Sequence, residues 1–161
     1  MTHRAAAGFA TAGALFVLAA CGGAHAPSSQ AVAERQWIAN AAELIDQLRG
    51  DVQLSANGGD SVAAARAALR NESDLYALLI AYSDFGGCHK MLANVGMVTG
   101  GLGRADSLVS GACNYLEQAA KLFVRAATNS DPHALLGASR AALKASPLLI
   151  RAKFELDRLA R

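Results

Sequence analysis

Residues 105–128, ADSLVSGACNYLEQAAKLFVRAAT, place Leu108, Val109, Ala112, Tyr115, Leu116, Ala119, Leu122, Phe123 and Ala126 at three- and four-residue steps. Side chains at that spacing share one face of a helix with 3.6 residues per turn. The stretch therefore predicts a helix over about 105–128 with a continuous apolar stripe to bury. On its C-terminal side, Asn129-Ser130-Asp131-Pro132 combines a stop with a restart, Asp131 capping and Pro132 at the first helical position. A last helix then runs from Pro132 towards Arg161, carrying Leu135, Leu136, Leu143, Leu149, Phe154, Leu156 and Leu159. Pro147 is expected to kink it, or to begin a separate final helix.

On the N-terminal side lies the Gly-rich turn Thr99-Gly100-Gly101-Leu102-Gly103. Before it, Leu75, Leu78, Leu79, Tyr82 and Phe85 mark a helix within 73–97, with Ser73 as a possible cap. The Ala-rich VAAARAALR, capped by Asp60 or Ser61, ends near Asn71; two helices over 61–97 and one kinked helix both fit. Trp37, Ile38, Ala41, Leu44, Ile45, Leu48 and Val52 mark the first helix, over roughly 31–54, broken by Asn57-Gly58-Gly59-Asp60. No stretch alternates as a strand would. The expected fold is all-α, an antiparallel bundle of four long helices, or five with the short one counted.

Composition agrees. Apolar residues make up 53% of the 161, largely alanine, and aromatics only 6%, which favours close-packed helices. The formal charge is +2 and no basic stripe with interleaved aromatics occurs, so nucleic acid is not an expected partner.

Residues 1–21, MTHRAAAGFATAGALFVLAAC, have one fixed positive charge, Arg4, before the uncharged stretch Ala5–Ala20. This is the pattern of a signal peptide, too short to span a membrane comfortably. Leu18-Ala19-Ala20-Cys21, followed by Gly22-Gly23, resembles the lipobox of bacterial lipoproteins. The resemblance implies cleavage before Cys21 and acyl chains (palmitate among them) on that residue, which would anchor the chain to a membrane. Without Asp after Cys21, it also implies the usual sorting towards an outer membrane, where the cell has one. The following GGAHAPSSQAVAE has no hydrophobic period and reads as a tether. The expected division is 1–20 signal peptide, 21–33 lipidated cysteine and tether, and 34–161 helical domain.

With Cys21 lipidated and the chain exported, Cys88 and Cys113 remain as a pair in an oxidising compartment. Cys88 lies 13 residues before Gly101 and Cys113 12 after it, so a hairpin about Gly101 brings them to one height. Gly86, Gly87, Gly111 and Ala112 carry little side chain to hold the helices apart. A disulfide is expected there, and the two glycines beside Cys88 are read as serving its close approach.

Chemistry is sparse. Cys88-His89 is not a haem motif, since residue 85 is Phe, and His89 and His133 are too few for a structural zinc site. No metal or cofactor is expected. Glu43, Asp46, Asp51, Asp74 and Asp84 read as solvated helix faces, and Ser83-Asp84 as a local hydrogen-bonded pair. No nucleophile with a base can be named, so no enzyme is expected. The odd segment is Asp84-Phe85-Gly86-Gly87-Cys88-His89-Lys90, where a kink could expose Tyr82, Phe85 and His89 to a ligand or partner. The expectation is a non-enzymatic lipoprotein of the cell envelope, facing the periplasm or exterior and binding an envelope protein. The alternative is a carrier holding an apolar ligand among Trp37, Tyr76, Tyr82, Phe85, Tyr115 and Phe123, with a cavity of about 300 Å³ or more.

Overall fold

A computed structural model describes residues 28–161. The expected signal peptide, Cys21 and most of the tether lie outside the described residues. The described chain forms α1 (Ser29–Ser55), α2 (Val62–Ala68), α3 (Glu72–Gly86), α4 (Cys88–Val95), α5 (Gly103–Asn129) and α6 (Pro132–Leu159). Single 3₁₀ turns at Ala56–Gly58 and Gly100–Leu102 link α1 to α2 and α4 to α5. No strand occurs among the described residues.

The count among the described residues is six rather than four or five: the separate short helix, one of the two arrangements that fit 61–97, is present, and the helix expected within 73–97 is itself divided. Asn71, not Ser73, caps α3: its side-chain oxygen accepts from the backbone N–H groups of Ser73 and Asp74. That separates α3 from α2, which Ser61 caps. A second break at Gly87 divides α3 from α4, the Gly87 N–H turning back to the Asp84 carbonyl. Conversely, α6 runs unbroken through Pro147. Pro147 and Leu143 are both exposed, so the carbonyl that proline leaves without a donor can turn to water.

Elsewhere local signals act as expected. Asp131 caps α6, accepting from His133 and Ala134, with Pro132 in the first turn. The start of α1 is a correction: Ser28 caps it, accepting from Ala31, so residues 29–33, expected as tether, are helical. Gly59, at φ 82°, makes the turn into α2, where a Cβ would also press on Ala64.

α1 packs on α3, α4 and α6, and α5 packs on α3, α4 and α6. Between them lies a core of Trp37, Ile45, Leu48, Leu78, Phe85, Val109, Leu116, Leu135, Leu149 and Leu156, filled out by buried alanines. Cys88 and Cys113 are fully buried and bonded, with Cα atoms 5.3 Å apart, joining α4 to α5.

Candidate functional site

Two polar contacts flank the α3/α4 break, one at His89 and one at Asp84. His89 follows Cys88 on α4, and Glu117 lies one turn after Cys113 on α5, so the disulfide brings both to the same side. His89 Nδ1 lies 2.8 Å from Glu117 Oε1. This contact holds the Glu117 carboxyl below the usual carboxylate range. The pair is half-buried, a small polar seam outside the disulfide.

Tyr82 and Phe85 are not part of an exposed surface there. Tyr82 stacks on Phe123, ring centroids 4.5 Å apart, and meets Phe85 edge to face at 5.2 Å. The expectation that the kink exposes both rings is corrected: apolar burial takes them into the core, and only His89 is reachable. The Tyr82 hydroxyl lies 3.5 Å from Ser139 Oγ, which donates to the Ser55 carbonyl. Burial pushes the Tyr82 phenol up to about 12.

The two glycines also need a different account. A Cβ on Gly86 would meet Ala120 at an ordinary 3.7 Å, one on Gly87 would meet the Asp84 carbonyl oxygen at 3.7 Å, and Gly111 faces Leu148 of α6 rather than α4. Close approach at the disulfide therefore does not demand glycine at these positions.

Asp84 accepts a hydrogen bond of 2.9 Å from Gln47 of α1, in place of the expected pairing with Ser83. Beside it, Asp51 is only 7% exposed. Its solvated reading is corrected. Burial, with the Asp84 carboxylate next to it, raises the Asp51 pKa to about 6. One Asp51 carboxyl oxygen has no hydrogen-bond partner among the described residues. The signal for this was present: Asp51 follows Leu44 by seven residues and Leu48 by three, on the buried stripe of α1. Gln47, which donates to Asp84, also lines a shallow cleft of about 240 Å³ between α1 and α4, with Asn40, Glu43, Leu44, Met91, Asn94 and Val95; neither aspartate lines it.

The six aromatic candidates for a carrier do not surround a cavity. Trp37, Tyr82, Phe85 and Phe123 are packed in the core, while Tyr76 and Tyr115 face outwards. A cleft of about 250 Å³ near Gly59 and Leu143, and a wider one of about 440 Å³ at Ile38 and Leu159, are lined by none of them. No cluster of three His, Cys, Asp or Glu side chains suited to a metal occurs among the described residues. None of the described helices is long and apolar enough to cross a membrane.

One face was missed. From Leu75 to Ser83, α3 carries no charge, and Tyr76, Leu79 and Ile80 stand exposed on its outer side, Tyr76 at 65%. Leu79 was counted among the core-marking residues of this helix, yet it points out. A helix apolar on all sides is normally covered on all sides.

No protein-family model matches the chain, and neither a curated protein nor a solved structure matches it.

Proposed function

We propose that this chain is a lipid-anchored helical module of the cell envelope, which acts by presenting the outer face of α3 to a partner protein. The observation that carries this reading is the uncharged α3 surface, Tyr76, Leu79 and Ile80 exposed on a helix that is apolar throughout its centre. A partner helix with an apolar stripe would complete its burial. The packed aromatic core supports a binding module over a carrier.

The anchor reading rests on the lipobox resemblance at Cys21, and the disulfide is consistent with a compartment that permits it. We further infer an antiparallel bundle. Arg104 pairs with Glu155, Gly111 faces Leu148 and Gly137 faces Leu122, so numbers fall on α6 as they rise on α5. Tyr82 with Phe123 and His89 with Glu117 relate α3 and α4 to α5 in the same sense.

The test is a cross-linking pull-down of the tagged protein from its own envelope, beside Cys21→Ser and Leu79→Glu variants. One partner captured by the parent, and lost with Leu79→Glu while folding is unchanged, is expected. Capture that is indifferent to Leu79→Glu would overturn the assigned face. Intact mass of the membrane-purified protein tests the anchor: a start at Met1, or an unmodified Cys21, would overturn it.

A further inference from the structure

The outer face of α6 is divided lengthwise. Leu143, Pro147, Ile150 and Phe154 recur at four-, three- and four-residue steps, all exposed, Phe154 at 66%. Beside them on the same face lie exposed Arg140, Lys144, Arg151 and Arg158. Arg158 pairs with Glu155. Arg140, Lys144 and Arg151 have no ion-pair partner among the described residues. The helix carries two acids only: Glu155, buried and held by Arg104 and Arg158, and Asp157 near its end.

An apolar band alongside a cationic band on one exposed helix face matches the boundary between acyl chains and lipid phosphates. We propose that the outer face of α6 rests on an anionic phospholipid surface. Leu143, Ile150 and Phe154 enter the headgroup boundary, while Arg140, Lys144 and Arg151 meet phosphate oxygens. The charge complementarity of these cations selects lipid as the occupant. This inference deepens, and rests on, the anchored reading. Arg35 and Ile38 of α1 share a cleft with Leu159 and Arg161 at the end of α6. Cys21 precedes Ser28 by seven residues, a maximum reach of about 25 Å. An acyl chain on Cys21 and the α6 face can thus engage one bilayer. α3 and α6 each pack on both α1 and α5, so their outer faces point to opposite sides, α6 to lipid and α3 to a partner.

The experiment sediments exported protein carrying Cys21→Ser with vesicles of phosphatidylcholine alone, or with phosphatidylglycerol added. Retention by the anionic vesicles, weakening as salt rises, is expected. Combined Arg140→Gln, Lys144→Gln and Arg151→Gln should weaken it roughly a hundredfold, at about fivefold per cation. Leu79→Glu, on the opposite side, should bind as the parent does, with circular dichroism confirming helix content in each variant. No retention on anionic vesicles, equal retention on neutral ones, or indifference to the triple substitution would overturn the proposal. So would a triple variant that keeps its vesicle binding but loses a cross-linked protein. Because no acyl chain is present in this assay, its outcome is independent of the anchor, which the mass at Cys21 reads separately.

Discussion

Asp51 shows how a single side chain can oppose the fold that holds it. Its pKa is raised by burial and by Asp84 to about 6, so the folded protein keeps a proton that the unfolded chain releases nearer pH 4. Stability from the neutral form is fully present below the unfolded value and is lost as pH rises through about 6. Asp51→Asn should therefore stabilise the protein at pH 7.5 by about 1–2 kcal/mol and do little at pH 4. Urea unfolding midpoints at the two pH values check this. Gly58→Ala should act the other way, because its Cβ would collide with Ser139 Oγ and crowd Leu135. That disturbs the Ser139 bond to the Ser55 carbonyl, and a loss of about 1–3 kcal/mol is expected in the same assay. Residues such as these were the least legible in the sequence. Glu117 and Ser139 acquire partners from other helices, which periodicity along one helix does not reveal. Asp51 sat on a buried stripe whose charge argued for solvent.

Helices were far more legible, because spacing and caps are local. Asp131-Pro132 fixed the start of α6, and Ser61 that of α2. The errors were also local: Asn71 rather than Ser73 capped α3, and Pro147 left α6 continuous because its turn faces solvent. The bridge between α4 and α5 could be foreseen from the position of the two cysteines about one turn. Its closed loop spans 25 residues, so replacing both cysteines with alanine should cost about 3.5 kcal/mol, read as a lower denaturation midpoint without loss of helix content. Gly86→Ala should stabilise the protein by about 0.5–1 kcal/mol and so raise that midpoint, because the new methyl group meets Ala120 at 3.7 Å and the helix gains propensity. A Gly86→Ala variant that is destabilised instead would show that the break at Gly87 needs more backbone freedom than its packing indicates.

At the scale of the whole fold, the outer faces of α3 and α6 are left uncovered by the other described residues once the core is filled. The sequence conveyed that apolar residues recur on each helix, but not which of them would lack a neighbour. Leu79 and Phe154 look like core residues in a periodic pattern and stand in solvent because no described helix passes over them. The cationic band of α6 was hidden for a related reason, since near-neutral net charge says nothing about how charges divide between faces. The proposal that α3 meets a specific protein is checked by placing a photo-cross-linking residue at Leu79 in the anchored protein and, as a control, at exposed Gln53 of α1. A discrete adduct of one mass from position 79, absent from position 53, is the predicted result; no adduct from position 79, or the same adducts from both, would contradict it.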